Sequence, residues 1–250
     1  MLIYGINPVL EALRTKRVTA LRVSDRAGGR LAEVVTAAER AGVAIRRVSP
    51  ADLDRAVRGG AHGRHQGVVA ELQESAKVDV RELIAAATGA PLIVVLDGIE
   101  DPHNVGAILR TVDAAGAAGV VRQTRHAAAL DGAAAKASAG AVSHVRIADV
   151  VNIARALEDL KACGVWTVGL AGDVQKRYDE IDLTLPTAVV VGAEGTGLRR
   201  LVRERCDWVA SIPMRGHVQS LNVSVATGIV LFEALRQRRR VTAELPHPSV

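Results

Sequence analysis

Three polar clusters, each beside an apolar run, carry the side chains that could do chemistry. DGIEDPHNVGAILR (97–110) offers Asn104 and Arg110, six residues apart. VVVGAEGTGLRR (189–200) sets Glu194 among Gly192, Gly195 and Gly197. IPMRGHVQSLNVSVATGIVLFEALRQRRR (212–240) places Ser220 and Asn222 in a QSLN run that leads into a helix. Glycines let a backbone approach a ligand closely and present free N–H groups. A glutamate inside such a loop repels a pyrophosphate, so the middle cluster suits a neutral or cationic ligand. As a dinucleotide fingerprint, GAEGTG has the wrong order and lacks the acidic residue about 20 positions on. Local sequence leaves Asn104 and Arg110 open between two readings. One is a helix cap followed by a surface charge; the other is a loop Asn and a first-turn Arg aimed at a ligand.

Elsewhere the candidates for chemistry are few. Cys163 and Cys206 form neither a disulfide framework nor a metal spacing, and read as thiols in a reducing cytoplasm. His62 and His65 lie in a Gly-rich basic run, RGGAHGRHQG (58–67), which reads as an exposed loop without Cys or carboxylate neighbours. No metal site is expected. No window holds the roughly 18 apolar residues of a membrane span, and the N-terminus lacks the basic-then-apolar pattern of a secretory signal. The 250 residues are 49% hydrophobic and 24% charged, a globular composition.

Charge is unevenly placed. Residues 1–75 hold 12 Lys/Arg against 8 Asp/Glu, whereas residues 76–250 hold 20 against 19. The excess in the first third favours an anionic partner there, nucleic acid first among them. Aromatics are limited to Tyr4, Trp166, Tyr178, Trp208 and Phe232, so phosphate contacts and shape, rather than stacking, must carry RNA recognition.

These clusters need elements to hold them. Residues 7–17 read as a helix with Asn7 as N-cap and Pro8 at its first position. ALRVSD, VAIRRVS and GVVAELQ read as strands, with a helix ended by Gly42 and a second capped by Ser49 between them. That is a small α/β domain over 1–74. Residues 75–91 read as a partly helical linker. From 92 to 250, LIVVLDGI, GVVR, WTVGLAG, TAVVVG and ASIPM alternate with helices, which gives a parallel sheet covered on both faces. In such sheets the ligand crevice lies at the carboxyl ends of the strands. Leu221, Val225, Ile229, Phe232 and Leu235 share one face of the last helix. Ser224, Thr227 and Gly228 form a small-residue face, and Arg236 with Arg238–Arg240 close the helix at its negative pole.

In this order, NVGAILR, VVVGAEGTGL and IPMRGHVQSLNVSVATGIVLFEALRQR resemble the SpoU branch of the SPOUT RNA methyltransferases. YGINPVLEALR and HQGVVAEL resemble the small, ribosomal-protein-like substrate-binding domain that precedes the catalytic domain in one subgroup. The resemblance implies an α/β catalytic domain with a C-terminal trefoil knot, an exception to the unknotted rule. It implies S-adenosylmethionine as cofactor, bound by Gly192, Ile212 and Leu221 with Gly195, Met214 and Ser220 nearby. It implies that Asn104, Arg110, Glu194 and Asn222 form the catalytic set and that the enzyme works as a cytoplasmic homodimer. The substrate implied is a guanosine 2′-hydroxyl of large-subunit (23S) ribosomal RNA, with transfer RNA or another ribosomal nucleotide as the alternative. Two other classes compete: an RNA-binding protein that retains the fold without catalysis, and a nucleotide-dependent oxidoreductase, which the poor glycine fingerprint disfavours.

Overall fold

The computed structural model describes residues 2–25, 28–57, 65–73, 78–125, 127–130 and 132–244. The chain forms two compact units. One gathers residues 1–76, 102–110 and 128–144; the other gathers 77–101, 111–127 and 145–250.

The first unit is built on a four-stranded sheet. Its strands are β1 (Leu2–Tyr4), β2 (Val18–Ser24), β3 (Ala44–Val48) and β4 (Val68–Leu72), in the order β1-β4-β2-β3. β2 and β3 run parallel and β4 runs antiparallel to both its neighbours. The connecting helices are α1 (Ile6–Arg14), α2 (Arg30–Arg40) and α3 (Pro50–Ala56). Gly42, at φ +68°, takes the left-handed turn after α2. Ser49 caps α3, accepting from Asp52 N at 3.3 Å, with Pro50 at the first position.

Two expectations in this unit need correction. The cap of α1 is not Asn7. The helix starts two residues earlier, after Gly5, and Ile6 N–H is taken at 3.0 Å by the side chain of Gln66, sixty residues away. Asn7 lies inside the helix and accepts from Arg30 Nη2 at 3.0 Å. Nor is His65, near the end of the 58–67 run, exposed. His65 is 5% accessible, its Nδ1 accepts from Gly67 N at 3.0 Å, and its Nε2 lies 3.2 Å from Asp54 Oδ1. The carboxylate neighbour missing from the local sequence comes from α3. His62 lies outside the described residues.

The second unit holds six parallel strands: β5 (Leu92–Asp97), β6 (Gly119–Gln123), β7 (Ile147–Val150), β8 (Trp166–Leu170), β9 (Thr187–Gly192) and β10 (Trp208–Ala210). Their order is β10-β8-β9-β5-β6-β7. β5 is buried along its whole length, as a continuous apolar run in a sheet covered on both faces requires. Residues expected as linker also build this unit. α4 (Val80–Ala85), capped reciprocally by Asp79 and Glu82, sends Val80 and Leu83 into the core beside Ile93, Val95 and Val121. α7 (Ile153–Ala162), capped by Asn152, and the short α8 (Arg200–Arg205) complete the layer.

α5 (Pro102–Ala114) already begins before Asn104, so Asn104 and Arg110 both lie on it and Asn104 neither caps the helix nor sits in a loop. Within the first unit, α5 meets α6 (Gly132–Ala137) at Gly106, where a Cβ would stand 2.5 Å from Ala137 Cβ and 2.6 Å from Ala134 O. Only glycine permits that approach.

α9 (Val223–Glu244) is the last helix among the described residues. Its inward face is Val223, Thr227, Val230, Leu231 and Ala234, so part of the small-residue face packs inside the chain. Val225 and Phe232, on the apolar stripe read from sequence, are about half exposed. The arginines fall within α9 and not at its pole: Arg236 pairs with Glu233, and Arg238 donates to the carbonyls of Ala90, Pro91, Leu183 and Leu185. Burial lowers the Arg238 guanidinium below its ordinary range.

The two cysteines have different environments. Cys163 is exposed. Cys206 packs under β8 at Gly169, and burial pushes its thiol up to about 12. Iodoacetamide at pH 8 is therefore expected to label Cys163 in the native protein and to spare Cys206 until denaturant is added, as peptide mass mapping would report. An unfolded thiol ionises near 9.0. The folded thiol stays protonated up to its higher value, so this group withdraws stability as pH rises through that interval.

Candidate functional site

A cleft of about 850 Å³ opens in the second unit at the carboxyl ends of β8, β9 and β10. Its size is that of a small-molecule site, and it lies where parallel sheets place their ligands. Three loops wall it: 170–173 after β8, 192–198 after β9, and 219–223 before α9, with Ile212 and Met214 from the segment after β10.

The wall after β9 depends on one glycine. A Cβ on Gly192 would stand 2.1 Å from the carbonyl carbon of Gly197 and 2.4 Å from Leu198 N. The loop therefore folds directly onto the strand that precedes it. Gly197 N donates to Ala193 O at 2.8 Å and closes the turn. Gly195 and Gly197 take φ of +78° and +66°, a region other residues enter only with strain. The side chain displayed at the tip of this turn is Glu194, exposed to solvent.

The wall before α9 is fixed by Asn222. Its Nδ2 donates to Glu194 Oε1 at 2.6 Å, while its Oδ1 accepts from Ser224 N at 2.9 Å and Ser224 Oγ at 2.5 Å. One amide thus caps α9 with its oxygen and tethers the glycine loop with its nitrogen. Capping and site roles are combined in this residue, and Ser224 N–H, the second amide of the helix, is satisfied by Asn222.

Gly192, Glu194, Gly195, Ile212, Met214, Ser220, Leu221 and Asn222 all line this one cleft. Asn104 and Arg110 do not. Asn104 is 6% accessible on α5, and Arg110 is exposed on the same helix, both among residues that cluster with the first unit. Sequence reasoning missed Asp173 and Arg203, which also line the cleft and pair at 2.8 Å. The Arg203 guanidinium lowers the Asp173 carboxyl through their hydrogen bond. Thirty residues separate the two, and local spacing carries no sign of the pair. Among the described residues there is no group of three His, Cys, Asp or Glu able to hold a metal, and no helix is long and apolar enough to cross a membrane.

An alanine at 222 should lose both bonds at once. Asn222→Ala is expected to lower stability by about 0.5–2 kcal/mol, the range for a lost cap, and to loosen the Glu194 loop. Asn222→Ser restores the cap oxygen without the tether, so it should recover the melting temperature and leave ligand binding weakened. Equal ligand affinity in wild type and both variants, by calorimetry, would show that the tether is idle.

Comparison with known proteins covers nearly the whole chain. The SpoU rRNA Methylase family matches residues 91–232, and a family described as RNA 2'-O ribose methyltransferase substrate binding matches residues 2–78. The 23S rRNA (guanosine-2'-O-)-methyltransferase RlmB of Pseudomonas syringae pv. tomato is 44% identical over 242 residues, 94% of this chain and 95% of its own. The crystal structure of the SpoU methyltransferase AviRb from Streptomyces viridochromogenes, in complex with AdoMet, superposes with a TM-score of 0.79 at 26% identity, over 96% of this chain and 91% of its own. The A. aeolicus TrmH/SpoU tRNA modifying enzyme gives a TM-score of 0.55 at 34% identity, over 64% of this chain and 81% of its own.

Proposed function

Because the chain belongs to the SpoU rRNA methylase family, we propose that it methylates the ribose 2′-hydroxyl of a guanosine in 23S ribosomal RNA, with S-adenosylmethionine as donor. The observation that carries this reading is the cleft in which Gly192, Ile212, Leu221 and the Glu194–Asn222 pair meet. Its chemistry fits the donor. The strand end at Gly192 admits no side chain and leaves backbone against the cavity. Glu194 suits a cation better than a phosphate. Gly192, Gly195, Ile212, Met214, Ser220 and Leu221 hold the donor, which supplies an electrophilic methyl group on a sulfonium.

The remaining work concerns a weakly acidic alcohol. Arginine keeps its proton in proteins, so Arg110 acts as a cation: it binds the phosphate beside the target ribose and stabilises the developing oxyanion. The proton leaves to a phosphate oxygen or to water. Asn104, Glu194 and Asn222 orient Arg110, the ribose and the donor. Positioning of this kind contributes on the order of 7–11 kcal/mol in well-oriented systems.

Residues 1–74 capture RNA and residues 92–250 bind the donor and transfer methyl, with 75–91 between them. Ribosomal RNA is favoured over transfer RNA because the first of these segments is present. The transfer-RNA enzyme matches only 64% of this chain, whereas RlmB matches 94%. A ribosomal substrate implies action in the cytoplasm. The enzyme works as a homodimer whose partner completes each site. The half-exposed Val225 and Phe232 on α9 supply apolar surface for that contact. The segments around Gly192, Ile212 and Leu221 belong to a trefoil knot.

The direct test is methyl transfer from labelled donor to 23S ribosomal RNA, with the modified nucleotide mapped; no label in ribosomal RNA would overturn the reading. Arg110→Ala should lower turnover at least about a hundredfold, the scale of one lost transition-state donor, while calorimetry shows unchanged donor affinity. Near-normal turnover would remove Arg110 from the mechanism.

A further inference from the structure

At the carboxyl edge of the sheet, beside the glycine loop, a buried acid holds a half-exposed base. Asp97 ends β5 with none of its side chain accessible, whereas its partner Arg199 keeps 54% of its side chain exposed. Asp97 is paired with Gly192 in the β5–β9 ladder. Its Oδ2 accepts from Arg199 N at 2.8 Å and its Oδ1 from Arg199 Nε at 2.6 Å. On the next strand, Gln123, itself buried, accepts from Arg199 Nη2 at 2.7 Å.

Burying a carboxylate is costly unless its partner geometry is good. Fixing the loop would need only the bond to Arg199 N–H, which a neutral acceptor can take. Here two strands also grip the guanidinium along its Nε and Nη2 edge. That grip fixes the plane of the fork and leaves Nη1 on the open side, with no partner among the described residues. Two residues beyond Gln123, Arg125 is exposed and likewise without a partner among the described residues. An immobilised, partly exposed guanidinium is the group best shaped to take phosphate oxygens, since its rotamer entropy is already lost.

We propose that Arg199, set by Asp97 and Gln123, forms with Arg125 a seat for a phosphodiester of the RNA substrate beside the donor cleft. Arg199 directly follows Leu198, a residue of the cleft wall, so a strand held there lies along the rim of the donor pocket. The seat rests on the RNA reading given above and adds to it a place and a contact.

The test uses the full-length protein with in vitro transcribed 23S ribosomal RNA at several salt concentrations, beside donor binding by calorimetry and melting temperature. Arg199→Gln should weaken RNA binding about tenfold, the scale of one charge-assisted hydrogen bond. It should also reduce the slope of log affinity against log salt by about 0.7–0.9, the signature of one lost phosphate contact. Donor affinity should stay unchanged. Arg125→Gln, which leaves Asp97 paired, should reduce the slope by a similar step and serves if Arg199→Gln does not fold. RNA affinity and slope unchanged in Arg125→Gln and in folded Arg199→Gln would overturn the seat. So would a variant at 199 that loosens the donor and not the RNA, since Arg199 would then only fix the loop. Wild-type protein that bound no RNA would remove the function itself and the seat with it.

Discussion

The site depends on a contact that has no side chain in it. Where β9 ends, the carbonyl of Gly197 lies so close to Gly192 that a Cβ would overlap it. That contact folds the following turn back over its own strand and puts Glu194 at the rim. The other wall residues respond to this arrangement. Asn222 reaches Glu194 from the start of α9, and Asp97 takes the backbone of Arg199 just past the turn. Each bond joins segments far apart in sequence, so the cleft is a property of the folded unit and of no single motif.

The electrostatics follow the same economy. The cleft displays Glu194 and an Asp173–Arg203 pair, and no unbalanced cluster of cations. Among the described residues, Arg125 beyond β6 and Arg110 on α5 are exposed and have no carboxylate partner. A cationic donor within and an anionic polymer without is the division of charge that methyl transfer to RNA requires.

Much of this was legible because apolar periodicity and glycine placement are local signals. LIVVLD and TAVVVG are continuous apolar runs, and both are buried parallel strands. GAEG reads as a close-approach turn, and the turn is there. What escaped reading was set by partners distant in the chain. Gln66 caps α1 from sixty residues away, so Asn7 was free to lie inside the helix. His65 reads as exposed because Asp54, eleven residues back, is invisible as a neighbour in a glycine-rich run. The helix carrying Asn104 and Arg110 starts at Pro102, since proline is well suited to a first helical position, and Gly106 lies within it because α6 leaves no room for a Cβ. The arginines after 235 looked like a polar end to α9, but Arg238 is occupied by four carbonyls. Asp173 and Arg203 have no spacing that announces them.

The Arg238 clamp has a consequence for the order in which the molecule is made. The carbonyls it grips at Ala90 and Pro91 lead into β5, the strand between β9 and β6. They are translated nearly 150 residues before the arginine that ties them down. The wall that carries Asn222 is equally late. Until the final helix has left the exit tunnel, the six-stranded unit lacks both the closure of its cleft and the tie between its first strand and its last helix. Contacts of such separation in sequence slow folding. During synthesis the donor pocket therefore cannot close before α9 and the segment leading into it have been made.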